Sequence, residues 1–319
     1  MIELNDVRKV YGDSTEAVSQ VSFEVEQGET ATLVGPSGCG KTTMLTMINR
    51  LTELTDGEII IDGTPISEHD KIELRRNIGY VIQEIGLFDH MTVGENIGLV
   101  PDLRGWDEQR KQDRIDELLE LIQLPAGAKD RYPEALSGGQ QQRVGVARAL
   151  AAEPDIMLMD EPFGALDPIT REELQDEFVE IQAGLDVTIV FVTHDINEAL
   201  KMGDKVAVLN KGELVQYDSP RDLLANPKNE FVEDFVGEDR LLKRLSLISV
   251  REVMTSHELS DRTETVLHPD DSLKAALQTF YHATEPLSVI EDGTVVGSLS
   301  EEDIRDVASD STVEGVTNV

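Results

Sequence analysis

The sequence predicts an α/β fold in which helices cover a mainly parallel sheet, followed by a smaller α+β module. Short apolar runs such as Thr30–Val34 and Ile156–Met159 alternate with helical stretches, which is typical of parallel strands buried on both faces. A glycine-rich turn at residues 35–40 joins the first of these strands to a helix. From Ser246 onward the order becomes strand, helix, two-stranded hairpin and helix, which indicates a second unit.

The N-terminal elements are predicted to be antiparallel strands. Residues 2–7 and 21–25 alternate apolar and polar side chains, as half-buried strands do. After the buried strand Thr30–Val34 and the glycine-rich turn, a helix should run from Lys41 to about Leu51. A further strand at Glu58–Asp62 ends in an Asp-Gly dipeptide, at which the chain should turn back.

The middle of the chain changes from strand to helix and back. Residues 78–82 predict a buried strand, and from about Met91 to Ala149 the pattern is mostly helical. Within that stretch, Gln109–Ile122 is amphipathic, with dense charge on one face. The remaining predicted elements are strands at Ile156–Met159, Thr188–Val192, Val206–Leu209 and Glu213–Gln216, and a helix at Arg171–Ala183.

Cysteine content and hydropathy narrow the class of protein. The single cysteine, Cys39, excludes an intrachain disulfide and a cysteine-cluster metal site. No apolar run approaches the roughly 18 to 20 residues needed to cross a bilayer. The N-terminus has no basic region followed by an apolar stretch, so it does not resemble a signal peptide. These features predict a protein that stays inside the cell.

The formal net charge of −35 is unusual for a chain of 319 residues. Residues 241–319 contribute −9 of it and residues 1–240 contribute −26, so the negative charge covers the whole molecule. It argues against nucleic-acid binding, which needs clustered lysine and arginine. We interpret the charge as the sign of a halophilic host, whose salty cytoplasm screens the self-repulsion. An ordinary acidic enzyme is the alternative.

Residues 35–42, with the sequence GPSGCGKT, fit the pattern G-x-x-x-x-G-K-[ST] in full. Glycines let the backbone turn so that several N–H groups point at phosphate oxygens. Lys41 is expected to reach the β- and γ-phosphates of ATP, and the Thr42 hydroxyl to ligate Mg²⁺. A glycine turn without a ligand is the alternative, and Cys39 is best interpreted as a small spacer. The predicted phosphate-binding residues are Gly35, Pro36, Ser37, Gly38, Cys39, Gly40, Lys41, Thr42 and Thr43.

Two adjacent carboxylates follow the apolar run Ile156–Met159. Asp160 is placed to hold Mg²⁺, and Glu161 to polarise the attacking water as a general base. On its own, this pair could also be the solvent-facing end of a strand. Together with the phosphate loop, the two acids predict a nucleotide-hydrolysing site in which Lys41 and Glu161 are catalytic.

The segment Leu136-Ser-Gly-Gly-Gln140 carries the strongest family signal. Ser137 and Gln140 form a capping-box pattern, and the free N–H groups of such a helix end suit an anion. Here residues 1–240 resemble the ABC ATPases, which have a P-loop NTPase fold with a helical subdomain, expected at about 88–150. In that family the residues at positions 137–140, here Ser137, Gly138, Gly139 and Gln140, contact the γ-phosphate bound to the partner chain. The resemblance therefore implies a homodimer that binds Mg-ATP.

The resemblance also implies roles for residues that composition and spacing leave unassigned. Tyr11 stands where an aromatic ring stacks on adenine, although a core tyrosine is the alternative. Gln83 matches the glutamine that touches Mg²⁺ and water and senses the membrane subunit. Residues 165–167, ending at Asp167, resemble the D-loop. His194 matches the switch histidine that contacts the γ-phosphate, which makes it a third catalytic candidate.

Four segments further resemble the ATPases of osmoprotectant importers, which take up quaternary amines such as glycine betaine, choline and carnitine. They are residues 47–51, 78–88, 163–171 and 229–237. The resemblance implies permease subunits and an external solute-binding receptor on other chains, with this chain at the cytoplasmic face of the membrane. An importer ATPase for another solute, a soluble ABC ATPase acting on a protein or nucleic-acid partner, and a non-enzymatic nucleotide sensor are the alternatives.

The C-terminal residues 246–319 resemble a CBS-type regulatory module. Val250–Thr255 looks like the entry to such a module, and Gly297–Asp303 resembles an element in which a hydroxyl and a carboxylate hold a ribose. The alternative is that Ser300 and Asp303 only cap a helix. Only one module is evident, and we expect it to gate transport in response to ionic strength or a nucleotide.

Overall fold

The computed structural model describes residues 1–83, 86–164, 166–256, 263, 265–281 and 286–309. The chain forms two compact units, Met1–Tyr217 and Asp218–Val319. The sequence pattern predicts a boundary within 238–250, where the family resemblance ends, whereas the structure groups residues 218–240 with the tail. In the described part of the chain, none of the helices combines the length and the apolar character that crossing a membrane requires.

The first unit alternates strands and helices as predicted. Its strands are β1 (Ile2–Val10), β2 (Glu16–Val25), β3 (Thr30–Val34), β4 (Asp56–Ile61), β5 (Thr64–Pro65), β6 (Ile78–Val81), β7 (Ile156–Asp160), β8 (Thr188–Thr193), β9 (Lys205–Asn210) and β10 (Glu213–Asp218). Its α-helices are α1 (Lys41–Ile48), α2 (Lys71–Asn77), α3 (Val93–Leu103), α4 (Glu108–Leu121), α5 (Gly138–Leu150), α6 (Pro168–Ala183) and α7 (Ile196–Met202). Short 3₁₀ turns lie at Ala126–Ala128 and Pro133–Ala135.

These strands form two sheets. The smaller has the order β2-β1-β4-β5 with antiparallel pairing throughout, which confirms the predicted N-terminal strands. The larger has the order β10-β9-β3-β8-β7-β6, and its β9-β3-β8-β7-β6 part is entirely parallel. The predicted α/β class, with a mainly parallel sheet and a helical region between β6 and β7, is confirmed.

The larger sheet is buried on both faces. Every residue of β3, β7 and β8 is buried. Because successive side chains of a strand point to opposite faces, Leu158 and Val190 join a core with α1 and the smaller sheet. Their neighbours Met157 and Phe191 join a second core formed with the helices between β6 and β8. This double burial explains why the strands are apolar without alternation.

Helix boundaries differ from the predicted ones by a few residues, and the caps explain why. Helix α1 ends at Ile48 rather than near Leu51, because Arg50 adopts a left-handed φ of 53°. Helix α6 begins at Pro168 rather than Arg171, because Asp167 caps it and proline fits the first helical position. The residues at the helix ends therefore determine the helix boundaries more precisely than the apolar pattern does.

The second unit contains α8 (Pro220–Ala225), α9 (Glu230–Val236), α10 (Arg240–Ser246), α11 (Val250–Val253), β11 (Val266–Leu267), α12 (Leu273–Phe280), β12 (Leu287–Glu291), β13 (Thr294–Leu299) and α13 (Glu301–Ser309). β11 pairs with β12 in parallel, and β12 and β13 form the predicted hairpin. One apolar core joins α10 to this sheet through Leu245 and Val289. The expected strand, helix, hairpin and helix are therefore present.

An ion pair fixes α8 to the entry of the tail module. The Arg221 guanidinium donates to both Glu252 carboxylate oxygens, at 2.5 and 2.8 Å, and to the Leu247 carbonyl at 2.7 Å. Arg221, together with N–H and O–H groups of Ser249, lowers the pKa of Glu252 to about 2. This contact is one reason why the residues after Tyr217 group with the tail.

Candidate active site

Most of the functional residues predicted in the first unit lie at the carboxyl ends of four adjacent parallel strands. The glycine-rich loop follows β3, His194 follows β8, Asp160 and Glu161 end β7, and Gln83 lies just beyond β6. In the sheet these strands are neighbours in the order β3-β8-β7-β6. Neighbouring strands are about 4.8 Å apart, so the order alone brings the residues into one row. This edge is the usual ligand site of open α/β sheets.

The glycine-rich loop surrounds the Lys41 ammonium. Lys41 is buried, and its Nζ donates to the carbonyl oxygens of Gly35 at 2.7 Å and Pro36 at 3.2 Å. These two carbonyls hold the ammonium of Lys41, which lines a cleft of about 240 Å³. The cleft is lined by Ala17, Ser37, Gly38, Gly40, Lys41, Thr42, Thr43 and Glu161. A cation, loop N–H groups and hydroxyls around one cleft suit a polyphosphate.

Gly40 shows why this loop needs glycine. Its φ is 104°, and a Cβ added there would lie 2.3 Å from the carbonyl oxygen of Ala17. A side chain at this position would therefore be strained by the backbone and would collide with β2. Gly40 immediately precedes α1, so the close approach fixes where that helix begins.

Asp160 and the Thr42 hydroxyl form the part of the site that fits a hard cation. Thr42 Oγ1 donates to Asp160 Oδ1 at 3.1 Å. Asp160 is only 5% exposed, and burial raises the pKa of its carboxyl while the Thr42 hydrogen bond opposes that rise. The nearby Glu161 charge raises it further. An oxygen-only pair of this kind, partly desolvated, suits Mg²⁺ with water and phosphate oxygens as its other ligands.

Glu161 is held from both sides. His194 Nδ1 lies 3.0 Å, and Gln83 Nε2 3.4 Å, from the same oxygen, Glu161 Oε2. A carboxylate only accepts hydrogen bonds, so Nδ1 of His194 carries a proton in this contact. Glu161 adopts a left-handed φ of 44°, while its N–H donates to the Val192 carbonyl at 2.9 Å. The strained backbone turns the carboxylate away from the strand and into the cleft.

Tyr11 lies beside the phosphate loop. The residue is 42% exposed, and its hydroxyl is 3.4 Å from Thr43 Oγ1. The Lys9 ammonium lies 5.1 Å from the ring centroid. Tyr11 is therefore not a core residue, and its exposed ring next to the phosphate loop is available for stacking on a base.

Ser137 caps α5 as the sequence predicts. The Gln140 N–H donates to Ser137 Oγ at 3.3 Å, and the Ser137 N–H donates to Gln140 Oε1 at 3.1 Å. Gly138 and Gly139 form the first turn, and a Cβ added at Gly139 would lie 3.2 Å from Thr170. In the described part of this chain, none of these four residues lines the cleft around Lys41. The structure thus brings together the P-loop, Asp160, Glu161, Gln83, His194 and Tyr11, but not the Ser137 helix end.

Comparison with known proteins agrees with this arrangement. Residues 18–164 match the ABC transporter family and residues 250–310 match the CBS domain. The glycine betaine/carnitine/choline transport ATP-binding protein OpuCA of Bacillus subtilis is 51% identical over 87% of this chain and 72% of its own length. The carnitine transport ATP-binding protein OpuCA of Listeria monocytogenes is 48% identical, over 93% of this chain and 74% of its own length.

This chain belongs to the family of ABC ATP-binding proteins of osmoprotectant uptake systems. Among solved structures, the dimeric ATP-binding cassette MJ0796, in a post-hydrolysis state with ADP and Pi, is 36% identical. It matches with a TM-score of 0.62 over 69% of this chain and 99% of its own. The predicted family, the ABC ATPase activity and the CBS-type tail are thereby confirmed.

The D-loop of this ABC ATPase is only partly described. Ala165 lies outside the described residues, whereas Asp167 caps α6 and accepts from the Thr170 N–H at 3.2 Å. Hydrogen bonds from Thr170 lower the pKa of the Asp167 carboxyl. The sequence analysis assigns no functional role to Arg171, whose guanidinium donates to the carbonyls of Phe163 at 3.3 Å and Leu166 at 2.9 Å. This arginine therefore holds Leu166 within the D-loop and Phe163 just before it.

In the CBS-type tail, Ser300 and Asp303 form a helix cap. Ser300 Oγ and its N–H donate to Asp303 Oδ2 at 2.6 and 2.7 Å, and the Asp303 N–H donates to Ser300 Oγ at 3.2 Å. These contacts are the capping box that the sequence offers as the alternative to ribose binding. A nucleotide at this element would have to compete with them.

Proposed function

We propose that this protein is the ATP-hydrolysing subunit of an importer for a quaternary-amine osmoprotectant such as glycine betaine, choline or carnitine. The names of its relatives support this substrate class, and they give no support to a soluble ATPase with a protein or nucleic-acid partner. In this proposal the chain lies at the cytoplasmic face of the membrane, bound to permease subunits on other chains. An external receptor delivers the solute.

The chemistry proposed for each residue follows from the site geometry. Lys41, held by its own loop, would exchange the carbonyls of Gly35 and Pro36 for β- and γ-phosphate oxygens. Thr42 and Asp160 would hold Mg²⁺, with Gln83 as a further ligand, and Mg²⁺ would neutralise charge on the phosphates. Tyr11 would stack on the adenine. These oxygen donors fit the metal and the cleft fits the polyphosphate.

Glu161 is the proposed general base, and its contacts with His194 and Gln83 carry this proposal. The two side chains orient one carboxylate oxygen, which leaves the other, Oε1, to accept a proton from the attacking water. In the closed site His194 would also contact the γ-phosphate. Gln83 would report the nucleotide state to the permease, since it touches the base and follows β6 at the edge of the sheet.

We infer a homodimer because one chain holds only part of a closed site. The Ser137 helix end has free N–H groups suited to an anion, yet it does not line the Lys41 cleft of its own chain. A second copy would bring Ser137, Gly138, Gly139 and Gln140 over the γ-phosphate, with Asp167 alongside. The dimeric state of the related cassette MJ0796 supports this assembly.

The test is Glu161→Gln, which keeps the shape of the side chain and removes the base. Phosphate release should fall by about 10²- to 10⁴-fold, while ATP stays bound and the protein elutes as a dimer with Mg-ATP. Glu153→Gln, which alters an exposed acid paired with Arg110, serves as the matched control and should hydrolyse ATP like the wild type. Wild-type turnover in Glu161→Gln would refute the role of the base. A strictly monomeric Glu161→Gln protein with ATP would refute the dimer.

The substrate class needs a separate experiment. The ATPase, reconstituted with the permease that co-purifies with it, should hydrolyse ATP faster when a receptor loaded with glycine betaine, choline or carnitine is added. A receptor loaded with a sugar is the control. If none of the three quaternary amines stimulated hydrolysis, the proposed substrate class would be rejected, while the hydrolytic mechanism would still stand.

A further inference from the structure

A buried carboxylate lies behind the switch histidine. Glu198 is 6% exposed and belongs to the first turn of α7, four residues after His194. A buried carboxylate is costly unless it is hydrogen-bonded, so its presence needs an explanation. Neither the nucleotide chemistry nor the proposed dimer contact uses it.

The partners of Glu198 come from two different elements. Gln175 Nε2 on α6 donates to Glu198 Oε1 at 2.9 Å, and the Thr193 side chain at the end of β8 also hydrogen-bonds to the carboxylate. Gln175 is 8% exposed and Thr193 only 1%. Burial raises the pKa of Glu198, the nearby Asp195 acts in the same direction, and Arg171 and the two hydrogen bonds oppose it. The carboxylate is thus the centre of a small buried polar network.

This network encloses the turn that carries His194. Thr193 directly precedes the histidine, and its Oγ1 also accepts from the Asp195 N–H at 3.0 Å. Asp195 in turn caps α7 by accepting from the Asn197 N–H at 2.8 Å. Glu198 therefore holds Thr193, the residue before His194. It also lies on α7, the helix that is capped by Asp195, the residue after His194. The imidazole projects from a turn fixed on both sides, with Nδ1 3.0 Å from Glu161.

The same network reaches the D-loop. Gln175 and Arg171 are one turn apart on α6, the helix that Asp167 caps. Arg171 holds the Leu166 carbonyl at 2.9 Å and is near enough to Glu198 to affect its pKa. A displacement of α6 would therefore be transmitted through Gln175 to the carboxylate and from there to the histidine turn.

We propose that Glu198 is a positioning residue that holds His194 against Glu161 and couples this contact to α6. It acts through the histidine and touches neither nucleotide nor water. The inference rests on the role proposed for His194.

Glu198→Leu tests the inference, because it keeps the volume and removes both acceptors. The kcat for ATP hydrolysis should fall about tenfold with KM changed less than about twofold, since the phosphate loop is untouched. Glu198→Gln should recover at least about a third of wild-type kcat, because the Gln175 amide can rotate to complement it. Gln175→Leu removes only one hydrogen-bond partner of Glu198, so its kcat should lie between those of Glu198→Leu and Glu198→Gln. It serves as the test variant if Glu198→Leu fails to fold.

Gln182→Leu is the matched control on the same helix. Gln182 Nε2 donates to Thr30 Oγ1 at 2.7 Å, far along α6 from the histidine turn, so its loss should leave kcat within about twofold of wild type. The decisive measurement repeats Glu198→Leu in a His194→Ala background. There the further loss should disappear, because Glu198 acts only through the histidine.

The outcomes separate the inference from the function on which it rests. A His194→Ala protein with wild-type kcat would refute the role of the histidine. If His194→Ala is slow but folded Glu198→Leu or Gln175→Leu keeps wild-type kcat, only the positioning role fails. A tenfold loss that persists undiminished in the His194→Ala background, or that Gln182→Leu reproduces, would show a merely structural effect and overturn the inference.

Discussion

Replacing Gly40 by alanine should damage the phosphate loop far more than replacing Gly38. At Gly40 the φ of 104° is unfavourable for any side chain, which costs about 1–2 kcal/mol. The added Cβ would also lie 2.3 Å from the Ala17 carbonyl oxygen, so the backbone itself must move. Overpacking of this kind costs about 1–3 kcal/mol. The two contributions predict a loss of about 2–5 kcal/mol in the free energy of unfolding.

Two other glycines serve as controls for this prediction. At Gly38 the φ is 78° but no atom lies within 4 Å of the added Cβ, so only the backbone strain of about 1–2 kcal/mol applies. Gly12 has neither strain nor a neighbour, and its alanine variant should stay within about 0.5 kcal/mol of wild type. Because Gly40 sets the start of α1, Gly40→Ala should also weaken ATP binding more than tenfold, or about 1.4 kcal/mol.

Urea unfolding measures the first effect, and equilibrium binding of a fluorescent ATP analogue measures the second. The three variants should rank Gly12→Ala, Gly38→Ala, Gly40→Ala in increasing damage by both assays. If Gly40→Ala unfolded at the same urea concentration as Gly38→Ala and bound ATP equally well, the close approach of the loop to β2 would not be the constraint described.

Two further predictions concern charge. Burial raises the pKa of Asp160 above 3.8, so the folded state binds more protons than the unfolded one just above that pH, and stability falls as the pH rises through the folded pKa. Asp160→Asn should therefore melt at a higher temperature than wild type at pH 7 without nucleotide, and the difference should shrink toward pH 4. The variant should not hydrolyse ATP. A melting temperature below that of wild type at pH 7 would contradict this prediction. The net charge of −35 predicts a melting temperature that rises steeply between about 0.1 M and about 1 M KCl. The reason is that exposed charges repel one another over about 10 Å at the lower salt concentration but only over about 3 Å at the higher one. Full stability at the lower salt concentration would reject the halophilic interpretation.

The sequence predicts the fold and the motifs well because both depend on local patterns. The strand, glycine-rich turn and helix around Lys41 appear where the pattern puts them, and Ser137 and Gln140 form the cap that their spacing predicts. What the sequence could not provide are contacts between distant segments. Arg171 and Glu198 stand in ordinary helical stretches, and their roles appear only when α6 and α7 lie side by side. A buried carboxylate is invisible in a pattern that treats every glutamate as exposed.

Strand order is the clearest case of such long-range information, and it explains the chemistry. Along the chain, Gln83 precedes Glu161, and His194 follows, with long helical segments between them. In the sheet, β7 lies between β8 and β6, so Glu161 has His194 on one side and Gln83 on the other. A motion that moves either neighbouring strand end must change a contact of the same oxygen, Glu161 Oε2. With the roles proposed for these three residues, hydrolysis would depend on both the γ-phosphate contact of His194 and the permease contact of Gln83, because the proposed general base lies between them.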